Sequence, residues 1–180
     1  METREEQDQQ VHDWQRDIFA VFRDAGVGHV GYVPDGGHKG LIRLCEDDTD
    51  TATTVLTTEE EGIGLAAGLA LGGIRTALLM QSSGVGNCVN MFSLAESCRF
   101  PLLLLVTMRG EWAEFIPWQV PMGSRTEAVL KTMGFDVFRA RRADEVRGQT
   151  AAALDQAYLS NRMAALLLSQ ELIGRKNWSK

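Results

Sequence analysis

The sequence predicts an α/β domain: a doubly wound, mainly parallel sheet of about six strands with helices on both faces. Three observations predict it. The strand candidates are solid apolar or β-branched runs rather than alternating ones, which marks strands buried on both faces. The segments between them are long enough for helices, as parallel neighbours require. No repeat, low-complexity tract or Pro/Gly-rich linker interrupts the alternation over 180 residues, so a single domain is expected.

Residues 1–10, METREEQDQQ, are charged and polar and read as a flexible tail or the solvated start of a helix, with the folded domain spanning 11–180. From Val11 to Ala25, apolar residues at Val11, Trp14, Ile18, Phe19 and Phe22 keep helical spacing, and Gly26 stops the helix. His29–Val33 is a short strand broken by Pro34. Further strands are predicted at Thr53–Thr57, Thr76–Met80, Leu102–Thr107, Val137–Ala140 and Ala165–Leu168. Helices are predicted at Glu59–Leu71, Val85–Ser97, Thr126–Met133 and Asp144–Ser160. Gly110–Arg125 departs from the pattern. It is a long loop holding Trp112, Pro117, Trp118 and Pro121, and ordered loops of this length are often lids or binding loops.

Composition excludes several function classes. Hydrophobic residues make up 44% and charged residues 23%, close to the globular norm. The net charge is -6, from 18 basic and 24 acidic residues, with no Lys/Arg cluster, so nucleic acid and anionic membrane surfaces are poor partners. The N-terminus carries no secretory apolar region, and the longest apolar run, Leu102–Val106, is too short to span a bilayer. Cys45, Cys88 and Cys98 are odd in number and lack CxxC spacing, which fits a reducing, cytoplasmic setting with the thiols as small buried or half-buried residues.

Chemistry in such a fold gathers in the loops after the strands. Four are candidates: Val33–Gly40, Thr57–Gly64, Gln81–Asn87 and Met108–Glu111. Singly, each has an ordinary explanation. Thr58 and Glu61 form a capping-box pattern, and acidic residues suit the first turn of a helix. Gly84-Val-Gly86 is too short for the dinucleotide fingerprint and reads alone as a tight turn ahead of a helix. Gly36-Gly37 reads as a turn, His38 as a solvated loop residue, and Lys39 and Arg109 as surface charges. Walker and nucleophile-elbow motifs are missing, and the histidines at 12, 29 and 38 offer little to a triad or a zinc site, so no metal site is expected on this chain.

The loops in combination say more. Glu59–Ala70, EEEGIGLAAGLA, resembles the glutamate helix of the pyrimidine-binding domain in thiamine-diphosphate enzymes. MQSSGVGN at 80–87, Met108-Arg-Gly110 and Gln119-Val-Pro-Met-Gly123 resemble, more specifically, the sulfopyruvate decarboxylase alpha subunit and the matching part of phosphonopyruvate decarboxylase. The resemblance runs from about Trp14 to about Ser169 with the motifs in the same order. Registering the helix on Ala66-Ala-Gly68 matches Glu59 to the family's catalytic glutamate and leaves Glu60 and Glu61 as cap and surface charge.

That family's glutamate hydrogen-bonds N1′ of the aminopyrimidine and favours the imino tautomer, whose nitrogen deprotonates the thiazolium C2. A carboxyl group with limited water access suits the task, and the cofactor supplies the carbanion chemistry. The resemblance implies decarboxylation of a 2-oxo acid with Glu59 catalytic. His38, which the family's pattern does not supply, is read as a second catalytic residue, a proton shuttle titrating near neutrality, or equally as the mark of a changed substrate. It implies cofactor contacts from Glu59, Ser83, Gly84, Gly86 and Asn87, and substrate contacts from Asp35, Lys39, Arg109 and Gln119. Lys39 and Arg109 would anchor an anionic tail. Pro34, Lys39 and Leu41 match the family's first loop loosely, Gly37-His38 departs from it, and Trp112, Phe115 and Trp118 leave an aryl or larger oxo acid open.

Members of the superfamily hold the diphosphate through Mg2+ in a second domain with a Gly-Asp-Gly motif, and this sequence has none. The resemblance therefore implies a separate beta subunit that carries the motif and the Mg2+, in an α2β2 or larger heteromer inactive without both chains. Three other readings stay open: a carboligase or acyl-transfer subunit, a non-catalytic partner subunit of the same fold, and a nucleotide-binding module resting on Gly84-Val-Gly86.

Overall fold

In a computed structural model describing residues 4–175, with side chains from Trp14 onward, each apolar run is a strand. They are β1 (Val27–Tyr32), β2 (Ala52–Val55), β3 (Arg75–Gln81), β4 (Leu102–Thr107), β5 (Asp136–Ala140) and β6 (Met163–Leu168). All pair in parallel, in the order β2-β1-β3-β4-β6-β5. The helices are α1 (Arg4–Asp24), α2 (Lys39–Glu46), α3 (Glu59–Leu71), α4 (Ser82–Cys88), α5 (Phe92–Cys98), α6 (Val120–Gly123), α7 (Thr126–Thr132), α8 (Ala143–Tyr158) and α9 (Gln170–Ile173).

Solid runs follow from double burial. Successive strand side chains point to opposite faces, so a strand covered on both sides needs apolar residues at every position. Leu79, Leu103, Leu105, Leu166 and Leu168 join Trp14, Ile18 and Phe22 of α1, Leu41 of α2 and Leu154 of α8 in one layer. Leu78, Met80, Leu104, Val106 and Leu167 join Ile63 of α3, Val85 of α4, Phe92 of α5 and Leu130 of α7 in the other. Phe92 meets Phe135 edge to face with ring centroids 4.8 Å apart. Among the described residues no helix is long and apolar enough to cross a membrane.

The structure departs from the sequence expectations in several places, besides the short helices α6 and α9. Helical backbone already begins at Arg4, and residues 1–3 lie outside the described residues. Helix α2 was not expected: Leu41, Ile42 and Cys45 do fall on one buried helical face, but the helix has only 8 residues and follows directly on the polar loop, of which it reads as a part. The segment Val85–Ser97 is two helices, and the first starts at Ser82, so Gly84 and Gly86 stand inside α4 rather than on a loop before it. Finally, Cys98 is exposed, whereas Cys45 and Cys88 are buried and burial pushes each of those thiols up to about 12.

The strand order reverses twice, between β1 and β3 and between β4 and β6, and crevices open outside the carboxyl ends at such points. Removing the large buried ring in the second layer tests the packing: Phe92→Ala is expected to cost about 3–5 kcal/mol of stability, read from the shift of the urea midpoint.

Candidate active site

Glu59 opens α3 just past the edge strand β2. Its half-buried carboxyl group lies on one face of α4, where Oε2 accepts a hydrogen bond from Asn87 Nδ2 at 3.0 Å. Gly84, three residues before Asn87 on that face, makes the seat possible: a Cβ there would stand 2.5 Å from Cγ, Cδ and Oε1 of Glu59. A side chain of any kind at position 84 would have to move the carboxyl group. Gly86 plays a similar part toward the long loop, where a Cβ would approach Met122 Sδ to 3.1 Å. The anticipated capping box does not close. Thr58 makes no side-chain cap bond, and exposed Glu61 instead accepts from the Thr57 backbone N–H at 2.7 Å.

A second polar cluster forms where β1, β3 and β4 end together. Asp35 Oδ2 accepts from Thr107 Oγ1 (2.7 Å) and Gly37 N (3.0 Å). Gln81, the last residue of β3, turns Nε2 to Asp35 Oδ1 (3.4 Å), and its Oε1 accepts from Ser83 Oγ (3.1 Å) and Gln119 Nε2 (3.1 Å). Asp35, Ser83 and Gln119, predicted from separate loops, are thus brought together by a residue absent from the predicted set. The signal was present: Gln81 is the first polar residue after five buried positions of β3. Lys39 stands exposed at the start of α2, beside Asp35 in a groove also walled by Tyr32, Pro34 and Ile42.

Two predicted residues do not have the surroundings expected of them. His38 is fully buried rather than solvated. Its Nε2 lies 3.1 Å from the Leu105 carbonyl, which can only accept, so that nitrogen carries the proton. Nδ1 has no partner, and burial lowers the ring's pKa while nearby Asp35 partly opposes the shift. Arg109 is not a free cation. Its guanidinium grips Glu114 through Nε and Nη2, both at 2.7 Å, with the two side chains only 7% and 3% exposed.

Glu114 organises the long loop. Besides Arg109, its carboxylate accepts from Gly110 N (3.2 Å), Ile116 N (3.0 Å) and Gln170 Nε2 (2.9 Å). Gln170 Oε1 accepts in turn from Glu111 N and Trp112 N, both at 3.1 Å. At the neck of the loop, Gly110 and Gly123 bring backbones so close that a Cβ on either would run into the opposing main chain. Trp112, Phe115 and Trp118 remain exposed on this frame, Trp118 to 76%. The Arg109 hydrogen bonds, foremost, hold the Glu114 carboxyl at about 2, against an ordinary 4.5. Among the described residues no group of three or more His, Cys, Asp or Glu could hold a metal ion.

The fold is that of a thiamine-diphosphate-dependent enzyme: it superposes on 93% of the chain with a putative enzyme of that kind from Mycobacterium smegmatis, at a TM-score of 0.69 and 16% identity, although the chain spans only 33% of that structure. The sequence goes further. It is 39% identical over 129 residues to the sulfopyruvate decarboxylase subunit alpha of Methanococcus maripaludis, covering 71% of this chain and 77% of the relative. It is 33% identical over 151 residues to that of Methanocaldococcus jannaschii, covering 83% and 89%. The chain belongs to the family of sulfopyruvate decarboxylase alpha subunits. Phosphonopyruvate decarboxylases match over a shorter stretch of 99 residues, and no protein-family model matches.

Two outcomes follow from this geometry. Because the Glu114 carboxyl is depressed from 4.5 to about 2, its contribution is complete above the ordinary value and is lost as pH falls toward 2. That contribution is about 3 kcal/mol at neutral pH. Acid unfolding of the native chain should steepen between pH 4.5 and 2, and Glu114→Gln should remove the steepening. Gly84→Ala should leave the core intact while displacing Glu59. The displacement is expected to move the Asn87 side-chain amide signals in the NMR spectrum while the melting temperature changes little.

Proposed function

We propose that this chain is the alpha subunit of a thiamine-diphosphate-dependent 2-oxoacid decarboxylase of the sulfopyruvate type, and that Glu59 is its cofactor-activating glutamate. The observation that carries the reading is the seat of Glu59, a carboxyl group held over the bare backbone of Gly84 and oriented by Asn87. This donor set fits an aminopyrimidine: one carboxyl oxygen is fixed by Asn87, leaving the other to share a proton with a ring nitrogen. Bound thiamine diphosphate would supply the electron sink that lets the bond to the departing carboxylate break.

The remaining roles belong to residues on the page. Glu59 would hold the activating proton against the ring nitrogen, its half-buried carboxyl group kept in place by Asn87. Ser83, Gly84, Gly86 and Asn87 would form the wall of α4 against which the ring lies. Asp35 and Gln119 would line the substrate side, with Lys39 as the exposed cation there. Arg109, neutralised by Glu114, would hold the loop rather than the substrate's tail, and His38, with a buried neutral ring, would pin α2 to β4.

A second subunit holding Mg2+ and the diphosphate is part of the proposal, in an α2β2 or larger heteromer, with residues 11–180 of this chain as the pyrimidine-binding domain. The relatives are named as alpha subunits, and the match takes in 89% of one of them. Helix α3 adds a physical argument. After Glu61 it carries no polar side chain, yet Gly64, Gly68 and Leu71 are exposed, Leu71 to 93%. Helices apolar all round are normally covered.

The test mixes this chain with its partner subunit, thiamine diphosphate and Mg2+, and follows carbon dioxide release from sulfopyruvate, phosphonopyruvate, phenylpyruvate and pyruvate. Release should need both chains, and Glu59→Gln should lower kcat by roughly 100-fold to 10,000-fold with assembly unchanged. Unaltered turnover in that variant would refute the role of Glu59 and favour a non-catalytic partner.

A further inference from the structure

Gln81 touches three polar groups of the site at once, and its orientation follows from them. A carboxylate offers only lone pairs, so the edge of the Gln81 amide beside Asp35 has to be the NH2 edge. Asp35 has no freedom to turn away, because Thr107 Oγ1 and Gly37 N occupy its Oδ2 and leave Oδ1 toward Gln81. With NH2 on that side, Gln81 presents its carbonyl oxygen to Ser83 and Gln119. Gln119 can answer a carbonyl only with its own NH2. Its Oε1 therefore lies on the other side of the amide, where no hydrogen bond from the described residues reaches it.

We propose that Gln81 is a positioning residue that relays the charge of Asp35 into the orientation of Gln119, so that Gln119 meets its ligand with a carbonyl oxygen. The group seated against that oxygen carries an O–H or N–H, such as a hydroxyl or an amino group. What that ligand is rests on the decarboxylase reading; the relay itself does not. An acidic residue two side chains away thus decides whether the site offers an acceptor or a donor at position 119.

The relay can be inverted. Asparagine at position 35 keeps one oxygen for Thr107 and Gly37 and turns an NH2 toward Gln81, whose amide must then flip. The flipped amide offers NH2 to position 119, so Gln119 turns its own NH2 outward. A glutamate at 119 suits this inverted state, since one oxygen accepts from Gln81 and the other faces the ligand. In the native state the same glutamate meets the Gln81 carbonyl. Asp35→Asn and Gln119→Glu are therefore expected to be harmful singly and to compensate together, although the two side chains share no hydrogen bond.

Two readouts decide it. In the full chain, Gln119→Glu should lower the melting temperature by about 3 °C, and adding Asp35→Asn should restore it. In the two-subunit enzyme each single variant should lose about tenfold or more in kcat/KM, with recovery in the double variant, which a merely structural role would not produce. Gln81→Leu should abolish the compensation. Simple additivity of the two substitutions in both readouts would overturn the relay even in an active enzyme. Coupled melting temperatures in a complex that decarboxylates none of the oxo acids would uphold the relay and overturn the decarboxylase reading.

Discussion

The site depends on the register of the three central strands. Leu79 lies opposite Tyr32 on one side and Leu105 on the other, and Gln81 lies opposite Thr107, so β1, β3 and β4 end within a residue or two of one another. All three are buried on both faces up to that level. The polar side chains at that level, Asp35, Gln81 and Thr107, consequently meet, with Asp35 hydrogen-bonded to both of the others. A slip of one residue would turn every inward leucine to the opposite layer. The same packing that stabilises the sheet holds these donors and acceptors in place.

Two carboxyl groups near this edge have contrasting surroundings. Glu114 takes hydrogen bonds from a guanidinium, two backbone amides and a glutamine, and so is held as an anion inside the protein. An ion pair buried to this degree is costly to desolvate and worthwhile only with its remaining lone pairs filled. Here they are filled, and the result is a rigid loop rather than a free arginine. Glu59 has one side-chain donor and a glycine beneath it, an arrangement that leaves one oxygen for a ligand. Rigidity belongs to the first group and availability to the second.

The long loop is therefore better described as a fixed platform than as a mobile lid. Its neck is closed by the backbone contacts of Gly110 and Gly123, and its middle is tied to α9 through Gln170. Trp112 and Trp118 sit on its outer surface, close in sequence to Gln119, the residue through which the loop reaches the polar cluster. Leu71 at the end of α3 and Trp118 on this platform are the most exposed large apolar side chains among the described residues.

The sequence by itself determined the sheet: burial on both faces makes the central strands near-continuous apolar runs, and the less covered edge strands β2 and β5 still show as apolar or β-branched runs at helix-length intervals. It also pointed to the family, and the glycines and alanines after Glu59 set the helix register on which the role proposed for that residue rests. Helix α2 stayed hidden because its apolar face, Leu41, Ile42, Leu44 and Cys45, fills only two turns and follows directly on a polar loop. The partners of Arg109 and His38 were equally invisible. Glu114 lies five residues from Arg109 within a loop of no regular pattern, and Leu105 lies 67 residues from His38. Whether a charged or titratable side chain is available to a ligand depends on which groups already surround it. That is a property of tertiary packing and leaves no trace in local spacing.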